Sequence, residues 1–270
     1  MGGLDGRVAL VTGANHGIGA ATAVELARLG ADVAVSYLRF AERDGEDGRP
    51  AEYAQQRRQD HEEVVAEIQA LGRRALAVEA DLRDPATPAA LFDAAEGELG
   101  LVDVLVHNAS GWHKDTFGPP DEDPYGRPND EVTAATFDAQ FLVDARAGAL
   151  LMAELGRRHR AAGLGWGRIV TLTSGGPGGF PGEASYGAAK AALDNYAMTA
   201  SIELADLGIT ANVVHPPVTD TGWVTDAVRA FVAGSTDHVH VSEPGEVAEV
   251  IGWLCTDAAR LLTGNLIRLR

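Results

Sequence analysis

Short runs of apolar and β-branched residues alternate along the whole chain with longer stretches rich in alanine and leucine. A strand, a crossover helix and a second parallel strand form the unit that such an alternation builds. The predicted strands are Arg7 to Thr12, Ala31 to Tyr37, Ala75 to Ala80, Val102 to His107, Arg168 to Thr173, Ile209 to His215 and Leu266 to Leu269. The predicted helices are Gly17 to Leu29, His61 to Leu71, Pro88 to Leu99, Val132 to His159, Tyr186 to Leu207 and Pro244 to Cys255. This pattern predicts an α/β fold with a doubly wound, seven-stranded parallel sheet and helices on both faces.

Two segments interrupt the alternation. Residues Arg39 to Asp60 are highly charged, and we interpret them as a surface insertion after the second strand, or as a solvated loop that leads into an extended helix. Residues Gly111 to Asp130 contain four prolines, which a helix or a central strand does not tolerate. We predict a loop over the edge of the sheet, either in contact with a ligand or as surface decoration.

Composition limits the possible classes of protein. The 270 residues, 46% of them hydrophobic, fit a single domain spanning 1–270. The 22 basic and 39 acidic residues give a net charge of −17, which disfavours nucleic acid and anionic membranes as partners. A single cysteine, Cys255, excludes an internal disulfide, and neither a secretion signal nor a long apolar run is visible. We therefore expect a cytoplasmic protein.

A glycine-rich turn follows the first predicted strand. It reads Thr12-Gly-Ala-Asn-His-Gly-Ile-Gly19 and leads directly into a helical stretch. Glycines allow a tight turn and close approach to a pyrophosphate, which the free amides and dipole of the helix N terminus attract. The turn lacks the Gly-Lys-Ser or Gly-Lys-Thr triplet of a nucleoside triphosphate loop. It predicts a dinucleotide site that includes Gly13, Asn15, His16, Gly17, Ile18 and Gly19.

The spacing of these glycines resembles the short-chain dehydrogenase/reductase family, and the resemblance extends over almost the whole chain. Asp81-Leu82 follows the third strand, where the family's aspartate contacts the adenine ring. Asn108-Ala109-Ser110-Gly111 follows the fourth and is similar to the family's Asn-Asn-Ala-Gly, which borders the cofactor. His107 stands in place of the first asparagine, a departure that concerns structure more than chemistry.

The end of the second strand bears on the choice of dinucleotide. Enzymes that choose NAD normally place a carboxylate there for the ribose hydroxyls, and this chain has none. Ser36 and Arg39, with help from His16, could hold the 2′-phosphate of NADP. The sequence therefore favours NADP(H) over NAD(H), unless Arg39 is only a solvent-facing charge.

The catalytic chemistry is expected at Ser174, Tyr186 and Lys190. Tyr186 and Lys190 are four residues apart and share one face of a helix, while Ser174 follows the fifth predicted strand. A nearby ammonium favours the phenolate of tyrosine, so that Tyr186 can serve as a general acid in reduction and a general base in oxidation. Ser174 would stabilise the substrate oxygen. The resemblance implies that Tyr186 and Lys190 also border the cofactor, with Lys190 on the nicotinamide ribose.

Two positions in this region leave alternatives open. The loop from Ser174 to Tyr186 is one residue shorter than is usual in the family, and Thr173 is a weaker candidate for the hydroxyl role. Asp144 stands where the family has an asparagine that holds a water of the proton relay. A carboxylate can accept from that water and also pair with Lys190, so Asp144 predicts either a modified relay or an impaired enzyme.

After the sixth strand, the chain resembles the family phrase Asn-x-x-x-Pro-Gly-x-x-x-Thr. The resemblance places Pro216, Val218 and Thr221 at the cofactor and residues 222–241 in a mobile substrate lid. His238 and His240 in that segment have no third ligand nearby, so we expect no metal site. Large aromatic residues, which line pockets or simply anchor loops, lie in the two site loops: Trp112, Tyr125 and Trp223.

Together these features predict a Rossmann-type oxidoreductase that uses NADP(H) to reduce a ketone. The nearest resemblance is to reductases of the 3-oxoacyl-carrier-protein type and to ketoreductases that modify polyketides. An NAD-dependent alcohol dehydrogenase and a catalytically weak dinucleotide-binding protein are the alternatives. The resemblance also implies a homodimer or homotetramer, while the substrate itself stays undetermined.

Overall fold

The structure is a computed structural model and describes residues 3–39, 55–56, 60–118, 129–175 and 178–270. Its strands are β1 Val8–Thr12, β2 Asp32–Tyr37, β3 Ala75–Glu79, β4 Val104–His107, β5 Asp115–Thr116, β6 Asp130–Glu131, β7 Gly167–Leu172, β8 Ile209–His215 and β9 Asn265–Arg268. Its α-helices are α1 Gly17–Arg28, α2 Glu62–Ala70, α3 Thr87–Glu98, α4 Ala134–Phe141, α5 Gly148–Ala162, α6 Ala184–Glu203, α7 Asp226–Gly234 and α8 Pro244–Cys255.

Seven of these strands form one parallel sheet in the order β3, β2, β1, β4, β7, β8, β9. The chain builds outward from β1 to β3 and then returns to place β4 on the other side of β1. At this switch point Thr12 and His107, the last residues of β1 and β4, are partners in register. Ligands of doubly wound sheets bind in the crevice beyond these strand ends. The fold class predicted from the sequence is confirmed.

The sheet lies between two layers of helices, each with its own hydrophobic cluster. On one face, α1 and α8 contribute buried residues such as Leu26 and Ile251. On the other face, α3, α5 and α6 contribute Phe92, Leu155 and Leu193. Because both faces are covered, all residues of β1, β2, β4 and β7 are buried, which explains their nearly continuous apolar sequence.

The uninterrupted helix predicted from Val132 to His159 is wrong. Instead, α4 ends at Phe141, a π-helical turn spans Leu142–Ala147, and α5 begins at Gly148. Such turns are rare and are frequently found at functional sites. The turn contains Asp144, whose buried carboxylate and carbonyl both have partners outside the helix. Helical periodicity in the sequence could not reveal these contacts.

Three further boundaries differ from the prediction. The helix predicted from Tyr186 to Leu207 is α6, which starts earlier, at Ala184, and gives way after Glu203 to a short 3-10 turn at Ala205–Leu207. The loop from Gly111 to Asp130 contains the paired strands β5 and β6, although residues 119–128 lie outside the described residues. The segment predicted as a substrate lid, residues 222–241, contains the helix α7, with Thr225 as its N-cap.

Most of the charged insertion near 39–60 also lies outside the described residues. Within the described ranges, no helix combines the length and the apolarity that crossing a bilayer requires.

Candidate active site

The turn between β1 and α1 has the close backbone packing that a pyrophosphate cradle requires. Gly13 has a φ of +64°, in the left-handed region that favours glycine. A Cβ on Gly19 would lie 2.1 Å from the carbonyl oxygen of Gly13, so no side chain fits there. The first turn of α1 carries no acidic residue, which leaves its N-terminal amides suitable for an anion. The cradle therefore fits the phosphates of a dinucleotide.

The end of β4 is fastened to this cradle by hydrogen bonds. The Asn108 side-chain amide donates to the carbonyl of Gly13 at 2.8 Å. The hydroxyl of Thr12 accepts the backbone amides of Asn108 and Ala109, both at 3.2 Å. The predicted cofactor residues Gly13, Asn108 and Ala109 are thus brought together. Thr12 was not singled out from the sequence, although it lies inside the glycine motif.

His107 is completely buried between the cradle and the π-helical turn. Its Nδ1 lies 2.9 Å from the Thr12 hydroxyl, and its Nε2 lies 3.2 Å from the carbonyl oxygen of Asp144. A carbonyl only accepts, so this arrangement requires the proton on Nε2. Burial, reinforced by the charge of Lys190, lowers the pKa of His107 to about 4. The ring is therefore neutral at neutral pH.

Asp144 and Lys190 form a buried ion pair. The Lys190 ammonium lies 2.8 Å from Oδ1 of Asp144, and the two side chains are 3% and 0% exposed. The other carboxylate oxygen accepts the Gly111 amide at 2.9 Å and the Ser110 hydroxyl at 3.2 Å. A buried charge is tolerated when it is paired and hydrogen-bonded in this way. The direct pairing that the sequence offered as one role for Asp144 is present.

The remaining catalytic candidates lie at the same edge of the sheet. The Lys190 ammonium is 5.6 Å from the centre of the Tyr186 ring, as their spacing on α6 requires. The Phe180 ring lies 6.0 Å from that of Tyr186 and provides an apolar neighbour. Ser174 follows β7 and is partly exposed at the carboxyl end of the sheet. A phenol, an ammonium and a hydroxyl are thus available beside the cradle.

Thr173, the alternative hydroxyl, is turned toward a different partner. It is buried and donates at 2.9 Å to the carboxylate of Asp194, a residue that the sequence reasoning missed. Burial raises the pKa of Asp194 above its ordinary value. The signal was available, because Asp194 lies four residues after Lys190 and therefore on the same helical face.

The N terminus of α6 is held by residues from the loop after β4. The fully buried carboxylate of Asp115 accepts the backbone amide of Ser185 at 2.8 Å, immediately before Tyr186. The Trp112 indole donates to the carboxylate of Glu183 at 2.9 Å. Asp115 is separated from this helix by about seventy residues of sequence, so no local pattern could identify it as a cap.

The residue before the predicted lid borders the cradle. A Cβ on Gly17 would lie 3.0 Å from the Thr221 side chain, so the predicted cofactor residue Thr221 packs against the phosphate turn. Two residues later, Trp223 meets Trp112 edge to face with ring centres 4.3 Å apart. The two tryptophans thus connect the lid with the loop after β4. Tyr125, the third predicted wall residue, lies outside the described residues.

The segment after β8 is fixed by its backbone. The carbonyl of Val218 accepts the amide of Ser242 at 2.9 Å, and the carbonyl of Pro216 lies 3.0 Å from Nδ1 of His215. These contacts hold the loop at the end of β8. Strand β8 lies beside β7, and Ser174 follows the end of β7.

The adenosine end of the predicted site is less basic than the sequence suggests. Ser36 is buried, and Arg39 is exposed but paired with Glu79 at 2.7 Å. Burial lowers the pKa of His16 to about 4, so the expected help from His16 comes without a positive charge at neutral pH. Asp81 likewise pairs with Arg83 at 2.6 Å, and the neighbouring Leu82 is buried. Of the three residues predicted to contact the 2′-phosphate, Arg39 is therefore the one that carries a positive charge at neutral pH.

Carboxylates also lie near this end. A cavity of about 210 Å³ beside His16 and Gly17 is lined by Glu63, Glu67 and Asp220. His240, one of the two lid histidines, pairs with Glu246 at 2.9 Å. In the part of the chain that the structure describes, no three His, Cys, Asp or Glu side chains gather in a metal-binding cluster.

Comparison with known proteins bears on the class to which this chain belongs. The family profile described as Enoyl-(Acyl carrier protein) reductase matches residues 13–269. The short chain dehydrogenase/reductase dmxR18 of Cryptosporiopsis sp. is 31% identical over 281 residues, covering 98% of this chain and 94% of that protein. Versicolorin reductase stcU of Emericella nidulans is 32% identical over 281 residues, with the same coverage of both proteins.

A solved structure extends the likeness to three dimensions. The angucycline C-6 ketoreductase LanV with bound NADP superimposes with a TM-score of 0.76 at 31% identity, covering 99% of this chain and 95% of that one. This chain therefore belongs to the short-chain dehydrogenase/reductase family. It is an oxidoreductase that acts on a CH–OH or carbonyl group with NAD or NADP.

Proposed function

We propose that this protein is an NADP(H)-dependent ketoreductase of the 3-oxoacyl or polyketide type, in which Tyr186 gives a proton to the substrate oxygen. The observation that carries the proposal is the joint placement of Tyr186 and Lys190 on one stripe of α6, at the sheet edge that holds the glycine cradle. Among the similar proteins, the ketoreductase LanV supports this reaction type, and versicolorin reductase supports a reductive direction.

The residues of this chain divide the chemistry among them. A bound nicotinamide dinucleotide supplies the hydride. Tyr186 donates the proton as negative charge develops on the substrate oxygen, and the Ser174 hydroxyl stabilises that charge by a hydrogen bond. The Lys190 ammonium favours the phenolate that remains on Tyr186. In the direction of oxidation the same phenolate accepts the proton.

Asp144 modifies this arrangement. Its carboxylate lies within hydrogen-bond distance of Lys190 and partly neutralises the ammonium that acts on Tyr186. It also accepts from Ser110 and Gly111, and this keeps it fixed beside the lysine. We propose that the Asp144–Lys190 pair is the inner end of the proton relay. A catalytically weak binding protein is the alternative that Asp144 would favour.

We propose NADP(H) as the preferred dinucleotide. Support comes from Arg39 at the end of β2, from the lack of an acidic residue on that strand end, and from the NADP bound to LanV. Glu79 competes for Arg39, so a 2′-phosphate would have to share or replace this carboxylate partner. The preference over NAD is therefore expected to be moderate.

We also propose a homodimer or homotetramer in the cytoplasm. On α6, the large apolar side chain of Ile202 is 77% exposed and is available for contact with a second copy of the chain. A groove of about 500 Å³ is lined by residues of α5 and by Leu204, which follows Ile202 by two residues in the chain. Light scattering of the protein as it elutes from a size-exclusion column should give the mass of two or four chains. The single cysteine, Cys255, is buried and consistent with a reducing compartment.

A cofactor titration tests the proposed function first. The purified protein contains four tryptophans, so binding of NADPH and NADH can be followed by intrinsic fluorescence and by energy transfer to the nicotinamide. Tighter binding of NADPH, followed by turnover on a panel of activated ketones, supports the proposal. An enoyl thioester is tested beside the ketones, because the matching family profile is named for reduction of an enoyl group. Tighter NADH binding overturns the cofactor assignment, and binding without turnover of any ketone favours the binding protein.

A further inference from the structure

The residues on either side of Ser174 are each anchored by a titratable side chain. On one side, the Thr173 hydroxyl donates to Asp194 at 2.9 Å. On the other side, the carbonyl oxygen of Gly175 lies 2.7 Å from Nε2 of His215. Ser174 itself is partly exposed at the end of β7, where the sheet no longer fixes its backbone. Two contacts from different elements thus bracket a single residue.

The first anchor comes from the catalytic helix. Tyr186, Lys190 and Asp194 follow one another at intervals of four residues, so they form one stripe along α6. The same helix therefore carries the proposed proton donor, its ammonium neighbour and the group that holds Thr173. The second carboxylate oxygen of Asp194 is buried and has no hydrogen-bond partner among the described residues. The Thr173 contact is the one that satisfies this carboxylate.

The second anchor comes from the last residue of β8. His215 has Nε2 at 2.7 Å from the Gly175 carbonyl and Nδ1 at 3.0 Å from the carbonyl of Pro216. Carbonyls only accept, so the shorter contact places a proton on Nε2. Nε2 thus donates a hydrogen bond that holds the carbonyl of Gly175. Because β8 pairs with β7 in register, this anchor is supported by the sheet.

We propose that Asp194 and His215 are positioning residues for Ser174, which they hold at the distance from Tyr186 that stabilises the substrate oxygen. This inference rests on the proposed function of Ser174. A hydroxyl that shifts by about 1 Å stabilises the developing charge much less, and losses of up to about a hundredfold in rate are typical of such shifts. The two side chains act through Thr173 and Gly175 and do not touch the substrate.

Matched variants of Thr173 and Asp194 test whether the hydrogen bond between them, and not only the size of the two side chains, is needed for turnover. Thr173→Val and Asp194→Leu remove the donor and the acceptor of the first contact, and each should lower kcat between about tenfold and a hundredfold. The KM for NADPH should not change. The double variant should be no slower than the slower single one, because both remove the same contact. Thr173→Ser and Asp194→Asn keep the hydrogen bond and should stay within about threefold of the parent rate.

A pair of His215 variants tests the second anchor. His215→Gln can place an amide donor near the position of Nε2, whereas His215→Leu cannot. The glutamine variant should retain most of kcat and the leucine variant should lose it. Parent kcat in Thr173→Val, Asp194→Leu and His215→Leu, even with a lower melting temperature, would show purely structural anchors and overturn the proposal. An Asp194→Asn variant as slow as Asp194→Leu would also overturn it, because charge and not the hydrogen bond would then matter.

Hydrogen–deuterium exchange gives a readout that needs no turnover. Amides of residues 173–175 should exchange faster in Asp194→Leu and His215→Leu than in the parent protein, both measured with NADPH present. Unchanged exchange of these amides in both variants would overturn the proposal that Asp194 and His215 hold Ser174 in position. If the parent reduces no ketone while the exchange differs as expected, the proposed function fails and the two anchors stand.

Discussion

Replacing His107 with asparagine should make the protein less sensitive to acid. In the folded protein Nδ1 of His107 accepts a hydrogen bond from Thr12, and Nε2 donates to the carbonyl of Asp144. A second proton on the ring would face the Thr12 hydroxyl and would add a buried positive charge near Lys190. Asparagine can still accept from Thr12, and it is the residue that the family motif has at this position.

The size of the effect follows from the pKa of the buried ring. Folding lowers the pKa of His107 to about 4, from about 6.5 in an unfolded chain. Between these values the unfolded state binds the proton and the folded state does not. The contribution of the neutral His107 to the free energy of unfolding is therefore fully present above about pH 6.5 and is lost as the pH falls toward 4. From pH 7 to pH 5 this single group should reduce the free energy of unfolding by about 2 kcal/mol.

The assay is urea unfolding of the parent protein and of His107→Asn at both pH values, at one protein concentration. His16, whose pKa burial also lowers to about 4, contributes its own acid sensitivity to both proteins. The difference between the two proteins therefore isolates His107. An equal loss of unfolding free energy in both, between pH 7 and pH 5, would refute a buried, neutral His107.

Three further predictions concern the ion pair, the cofactor end and the helix cap. Asp144→Asn leaves the Lys190 ammonium unneutralised, so the pH profile for alcohol oxidation should move about one unit toward acid; an unmoved profile argues against the coupling. Arg39→Ala should weaken NADPH binding by about tenfold and leave NADH binding unchanged, and equal losses would remove Arg39 from the phosphate site. Asp115→Ala leaves the buried Ser185 amide without this acceptor and should cost about 1–2 kcal/mol of unfolding free energy in urea, while Asp115→Asn should cost less. Equal costs would show that the cap depends on charge.

The sequence predicted the frame of the molecule because that frame depends on local patterns. Buried parallel strands read as continuous apolar runs, and the glycine turn has conformational requirements that few residues meet. Gly13, Gly19, Tyr186 and Lys190 therefore lie where their motifs place them. The pairing of Asp144 with Lys190 also followed from a departure within a familiar motif.

The contacts that modify the site depend on tertiary structure and could not be predicted in the same way. The π-helical turn at Leu142–Ala147 breaks a stretch whose periodicity is helical throughout. Glu79 lies on a neighbouring strand from Arg39, and strand register decides whether they meet. The cap of α6 by Asp115 joins segments that are distant in sequence. Asp194 is the exception, since its spacing from Lys190 was visible.

In the proposed reaction, Tyr186 donates the proton in NADPH-dependent reduction of a ketone. The most direct measurement compares NADPH oxidation on an activated ketone by the parent protein, Tyr186→Phe and Tyr196→Phe. Tyr196 lies on the same helix but is 47% exposed, so it is a matched control for removal of a phenol hydroxyl. We expect Tyr186→Phe to lose at least about a hundredfold in kcat while still binding NADPH, and Tyr196→Phe to retain the parent rate. Equal rates in Tyr186→Phe and the parent would show that Tyr186 is not the proton donor.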